Sequence, residues 1–237
     1  MKKIILSVVS VAILFACSKE ETTTPQLSLN DQFNVSAEGW TADFADYPVG
    51  EETFYELSHK KDAKLPAPLD TTKKAFRISG NNHSDDLFMF ITKKMTGLKA
   101  NQSYKGTFEV EFATSAADSS VGVGGSPAGS VYMGIGLTSI EPKKVANTTT
   151  KSYEMNIKKM QQATSGQDMK VIGNVGNGTS EFKYKIVKRT GEFTGKSDAN
   201  GNIWVIVGTD SGFEATTTLY YTGVKVNLQE VTATATK

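Results

Sequence analysis

An all-β fold, an antiparallel sandwich of the jelly-roll type, is what three features of this 237-residue sequence predict. Apolar residues alternate with polar ones at period two in many short runs. Turn residues separate those runs at regular spacing. No window carries a convincing 3.6-residue period that would mark a long helix. Around ten strands in such a rhythm pack as two sheets face to face.

The chain opens with Lys2 and Lys3 ahead of an apolar run, Ile4 to Ala16. That run is too short to cross a bilayer but has the length of a signal-peptide core. Residues 1–16 are therefore read as a signal peptide. It ends Leu14-Phe15-Ala16-Cys17, which resembles a lipobox, with Cys17 as the acylated N-terminus of the mature chain. Cys17 is the only cysteine, so it has no internal disulfide partner. Several acyl chains hold a protein to a membrane far better than one. The next residues, Ser18-Lys19-Glu20-Glu21, resemble the acidic tag that sends some lipoproteins to the outer face of the cell. The expected place is the outer membrane, lipid-anchored and facing the exterior. Residues 17–36 are polar, with Thr22-Thr23-Thr24-Pro25 and Asn30-Asp31, and read as the lipidated cysteine and its tether.

One domain is expected over 37–228, followed by a polar tail, 229–237. Its strands are read in order. Residues 75–79 and 87–91 flank a polar turn, and Leu87 to Ile91 is apolar on both faces, as a strand covered on two sides would be. Tyr104, Gly106, Phe108, Val110 and Phe112 alternate with Lys105, Thr107, Glu109 and Glu111, the pattern of a strand with one wet face. A glycine-rich loop runs into strand 130–138, where Gly134 and Gly136 allow close backbone approach or a bulge. Tyr153, Met155 and Ile157 alternate with Glu154, Asn156 and Lys158, and Phe182, Tyr184 and Ile186 with Lys183, Lys185 and Val187. Ile203 to Val207, including Trp204, reads as core, and Val224, Val226 and Leu228 close the set. Gly97 with Asn101, Gly176-Asn-Gly178 and Ala199-Asn-Gly-Asn202 supply turn chemistry between them.

Charge excludes some functions. There are 26 basic and 25 acidic residues, and loss of Lys2 and Lys3 leaves 24 against 25, so no basic face for nucleic acid is expected. Arginine occurs only at 77 and 189. No Gly-Lys-Ser/Thr directly follows the glycines from 122 to 136, and no Gly-x-Ser-x-Gly elbow occurs.

Three stretches carry a family resemblance. "MTGLKANQSYKGTFEVEFA" (95–113) looks like the turn and long strand of galactose-binding-like and carbohydrate-binding jelly rolls. "TTTLYYTGVKVNL" (216–228) is similar to their closing strand, and "GWTADFADYP" (39–48) to their opening segment. The resemblance implies a sandwich with a carbohydrate ligand. Where such closing strands often carry an Asp that helps hold a structural calcium, this chain has Thr222-Gly223, so a calcium of that kind is unsupported and no cofactor is expected.

Candidate ligand residues fall in three places. Trp40, Asp43 and Asp46 place a ring beside carboxylates, which suits a sugar's apolar face and hydroxyls, although a Trp at a sandwich edge also serves as a core plug. Asn81, Asn82, His83, Asp85 and Asp86 form a polar stretch that reads as a structured turn or a ligand loop. Its oxygens suit calcium, but its spacing matches no known loop, and one histidine makes a poor zinc site, so a metal stays undecided. Asp85 and Asp86, on an extended chain, point to opposite faces. Asp210 and Glu214 lie in a loop read over 208–214. If that loop met 80–86, a glycosidase-type carboxylate pair would arise. The expectation is a non-catalytic surface lipoprotein binding a glycan or another surface ligand. A glycan hydrolase and a structural subunit of an outer-membrane complex are the alternatives, and protein partners are unspecified.

Overall fold

The computed structural model describes residues 27–232. The signal peptide, Cys17 and residues 233–237 lie outside the described residues. In chain order the strands are β1 (Leu27–Gln32), β2 (Trp40–Ala45), β3 (Tyr47–Pro48), β4 (Ser58–Lys64), β5 (Lys74–Asn81), β6 (Leu87–Met95) and β7 (Ser103–Thr114). They continue with β8 (Val131–Thr138), β9 (Lys144–Asn147), β10 (Ser152–Met155), β11 (Lys170–Asn174), β12 (Lys185–Lys196), β13 (Ile203–Ser211) and β14 (Thr216–Glu230). All pairings between them are antiparallel. The first sheet runs β12-β7-β14-β5-β4, with β1 also on β14; the second runs β11-β8-β13-β6-β2; β3-β10-β9 form a small third sheet. From β5 to β8, and again from β11 to β14, successive strands switch between the large sheets. This is the antiparallel, jelly-roll-type sandwich that the alternation predicts.

The main core lies between the large sheets. Tyr104, Phe108, Val110 and Phe112 face it from β7, Leu87, Met89 and Ile91 from β6, and Ile203, Val205 and Val207 from β13. Each such fully buried side chain contributes roughly 1.5–3 kcal/mol relative to leaving it exposed. β6 is apolar on both faces because Phe88 and Phe90 point the other way, into a second cluster with Ile157, Met160, Met169 and Ile206. That cluster exists because residues 156–169 cross the outer face of the second sheet as a strap. The glycines of β8 admit it. A Cβ at Gly134 would strike Met160 Sδ, and one at Gly136 would strike the carbonyl oxygen of Asp168.

Four expectations are corrected. β1 lies inside the stretch read as tether, and β14 runs to Glu230, so the ordered sandwich exceeds 37–228 at both ends. Leu27 and Leu29 were too short an apolar signal, yet β1 pairs with β14 from Leu27↔Leu228 to Gln32↔Gly223. Second, β12 begins at Lys185, and its half-buried side chains are Val187, Arg189, Gly191, Phe193 and Gly195. Phe182 and Ile186 are exposed, so the alternation holds in the opposite phase. A Cβ at Gly191 would meet Ile172, and one at Gly195 would meet Leu137, which is why small residues occupy the inward side there. Third, Trp204 is half-buried on the outer face, with Lys94 Nζ 6.0 Å from its ring. Fourth, residues 208–211 belong to β13 rather than to a loop.

The Thr222-Gly223 pair marks a bulge in β14, between Tyr221 and Gly223 in register with β7. Leu219 and Tyr221 face inward before it; Val224, Val226 and Leu228 face inward after it. One extra residue thus keeps both halves of a 15-residue strand on the core.

Candidate functional site

The loops sort to two ends of the sandwich. Leu87 pairs with Ser211, and Ser211 with Val131, so turns 82–86 and 212–215 and the loop before β8 share one end. Met95 pairs with Ile203 and Lys196 with Ser103 at the other end, where β1 begins and β14 finishes. The polar turn and the Asp210 segment therefore meet.

Their meeting point is the floor of a cleft of about 500 Å³ on the outer face of the second sheet. It is lined by Asp46, Ser84, Asp86, Thr150, Ser152, Glu154, Met155, Ile157, Lys159 and Gln161. Each floor residue is placed by a distinct local device. Asp210 stands on the outer side of β13, two residues past Gly208 and across the ladder from Phe88. Asp46 sits in the tight link between β2 and β3 with φ of 62°, a left-handed conformation that Asp tolerates, and its N–H donates to Tyr153 O at 2.7 Å. Asp86 follows Asp85, whose φ of 60° turns the chain into β6. Because Asp85 is not extended, the opposite-faces argument does not apply, and Asp86 joins the floor. Lys159 descends from the strap.

One carboxylate oxygen from each of Asp46, Asp86 and Asp210 lies within 4.8 Å of the others. Lys159 Nζ reaches Asp210 Oδ2 at 2.5 Å and Asp46 Oδ2 at 2.8 Å, and donates to Met160 O at 2.9 Å. It also lies 4.9 Å from the centre of the Phe88 ring. The Asp210 side chain is wholly buried, and its Oδ1 has no hydrogen-bond partner; nor does Asp86 Oδ1. Asp86 Oδ2 accepts from Gln161 at 3.1 Å. Burial pushes the Asp210 carboxyl up to about 7, with Lys159 pulling it down and Asp86 pushing it further up. Burial also raises Asp46, again against the pull of Lys159. For Lys159 burial disfavours the ammonium, yet Asp210 and Asp46 more than reverse this and hold it above the usual lysine range. On the wall, hydrogen bonds from Asn147 and Thr150 hold Glu154 below the usual carboxylate range.

The other candidates sit elsewhere. Trp40 is fully buried, packed edge-on to Phe33 at 5.6 Å and donating to Asp31 Oδ2 at 2.7 Å, so it is a core plug and not a sugar platform. Asp43 pairs with Lys144 at 3.1 Å and does not line the cleft. Asn81 donates to Glu56 at 3.2 Å. Asn82 is buried and ties the turn to the β13–β14 link, donating to Ser211 O at 2.8 Å and Phe213 O at 3.1 Å. His83 stacks on Phe54 at 4.1 Å. Asp85 is exposed, and its carbonyl accepts from Gln162. Glu214 packs against the Gly122–Gly125 loop, with its N–H on Val123 O at 2.9 Å. Reasoning from the sequence missed Lys159 and Glu154. Neither had a signal beyond lying in a polar stretch between Tyr153 and Met160.

No protein-family model matches the chain, and no curated protein matches it. Among solved structures it is similar to the CBM22-1–GH10 modules of xylanase 10B from Clostridium thermocellum, complexed with xylohexaose. Identity there is 12% and TM-score 0.41, over 88% of this chain and 30% of that one, so the chain spans under a third of that protein. It is similar to the CBM22-1 xylan-binding domain of Xyn10C from Paenibacillus barcinonensis, at 11% identity and TM-score 0.37, over 87% and 95% of the two chains. It is also similar to the mannan-recognising module TmCBM27, at 8% identity and TM-score 0.34, over 87% and 99%.

Proposed function

We propose that the protein is a lipid-anchored cell-surface sandwich that binds a glycan in the cleft above Asp46, Asp86 and Asp210, without catalysis. The observation that carries this is the lining of the cleft. Carboxylates, hydroxyls and an amide surround a space of about 500 Å³ with Met155 and Ile157 between them. Such a wall offers acceptors and donors to sugar hydroxyls and a small apolar surface to a ring face. The open face of the first sheet is a poorer candidate. It carries ion pairs such as Lys188–Glu109 and Lys105–Glu192, both at 2.8 Å. Among the described residues its strands expose one large apolar side chain, Ile186, where a docking subunit would present a broad apolar patch.

The test is affinity electrophoresis against soluble polysaccharides with Glu154→Gln and Ser152→Ala, both on the wall. Retardation by at least one polysaccharide, weakened about tenfold by either change, is expected. No retardation by any, or retardation untouched by both changes, overturns the reading.

A hydrolase reading draws on the meeting of Asp86 with Asp210. Against it, a glycosidase holds its two carboxyls roughly 5–5.5 Å or 6.5–9.5 Å apart across the scissile bond. Here both lie on the floor, Asp210 is wholly buried, and Lys159 occupies one of its oxygens. Release of reducing ends from a bound polysaccharide, lost in Asp86→Asn, would favour the hydrolase instead.

A further inference from the structure

We infer that Asp46, Asp86 and Asp210 form a divalent-cation site, with calcium as its occupant. Three observations carry it independently of the glycan reading. The three carboxylates converge, with one oxygen of each within 4.8 Å of the others. The Asp210 side chain is fully buried and belongs to the cluster, yet its Oδ1 has no hydrogen-bond partner, and Asp86 Oδ1 shares that condition. A buried carboxylate oxygen without a donor is costly, so the arrangement calls for a positive partner that Lys159 does not supply to these atoms.

The charge count agrees. Once Asp210 gives up its proton, three carboxylates against one ammonium leave two negative charges, and a divalent ion balances them. Lys159 engages Asp46 Oδ2 and Asp210 Oδ2, which leaves Asp210 Oδ1 and Asp86 Oδ1 free for the metal. The donors are all oxygen. No cysteine or histidine joins the group, which excludes a preference for soft or borderline metals. Ser84, Ser152 and Gln161 line the same cleft and add neutral oxygens. An irregular set of oxygens, open to solvent on one side, suits the six to eight flexible ligands of calcium better than the strict octahedron of magnesium.

This site differs in place from the one implied by the resemblance, which would involve the closing strand. That strand carries the Thr222-Gly223 bulge within the first sheet.

Titration calorimetry of chelator-treated full-length protein with calcium chloride, and separately with magnesium chloride, tests the inference without any sugar. One calcium per chain is expected, bound more tightly than magnesium, with a melting temperature that rises as calcium is added. Asp86→Asn, on the half-buried and solvent-facing member, weakens calcium at least tenfold with unchanged far-ultraviolet dichroism. No saturable binding of calcium up to about 10 mM, well past the usual range of extracellular calcium modules, overturns it. So does an Asp86→Asn protein that binds as the wild type does. Neither result depends on the polysaccharide experiment, because calcium is titrated here with no sugar present.

Discussion

Asp210 shows how a single residue can set a pH response. Its carboxyl is pushed by burial from 3.8 up to about 7 in the folded chain. The folded state therefore keeps a proton that the unfolded chain gives up above pH 4. By linkage, this favours folding at pH below about 4 and is progressively lost as pH rises through 7. A rise of that size corresponds to on the order of 4 kcal/mol. Asp46 is raised too and acts in the same direction. Lys159 is raised, so its contribution is constant across this window and fades only above the ordinary lysine range. Urea titrations of metal-free protein should thus show stability falling by a few kcal/mol between pH 4 and 7. Asp210→Asn should remove most of that slope. A flat wild-type profile would show that the cluster is not desolvated in the folded chain.

At the scale of elements, the strap 156–169 decides what the outer face of the second sheet can do. It brings Lys159 to the floor and covers Phe88 and Phe90 with Met160 and Met169. Gly136→Val places a branched side chain against the Asp168 carbonyl and should lift the strap. Amide exchange over 158–169 should speed up at least tenfold while β6 and β7 keep their protection; equal loss everywhere would mean the strap is no separate unit. The strands that one can read from the chain are those whose inward side is uniformly large, such as Tyr104 to Phe112. β12 escaped because Arg189, Gly191 and Gly195 stand on its inward side, where Ile172 and Leu137 from the facing sheet fill the space. β1 escaped because two leucines are no pattern until β14 is beside them. The site was half legible. Asp46, Asp86 and Asp210 are visible as acids, but their convergence depends on two left-handed residues, a strand that extends past Gly208, and a lysine about fifty residues before Asp210 in the chain.

Across the whole molecule, the start of β1 and the cleft lie at opposite ends. β1 starts beside Leu228, near the turns 96–102 and 197–202, whereas the cleft lies by turns 82–86 and 212–215. The stretch from Cys17 to Leu27 spans at most about 35 Å. On the proposed reading, the sandwich stands on the membrane with its cleft pointing away. Thr149→Cys, exposed beside the cleft wall, should then be labelled on intact cells by an impermeant maleimide, with Cys17 on that reading already acylated. Labelling only after lysis would place the protein on the inner side. The pairing of β1 with β14 has a mechanical consequence as well. On the same proposed reading, a glycan held at one end and a lipid at the other would pull β1 along its own length. All the rungs from Leu27↔Leu228 to Gln32↔Gly223 then bear the load together, as in a lap joint, instead of opening one after another like a zip.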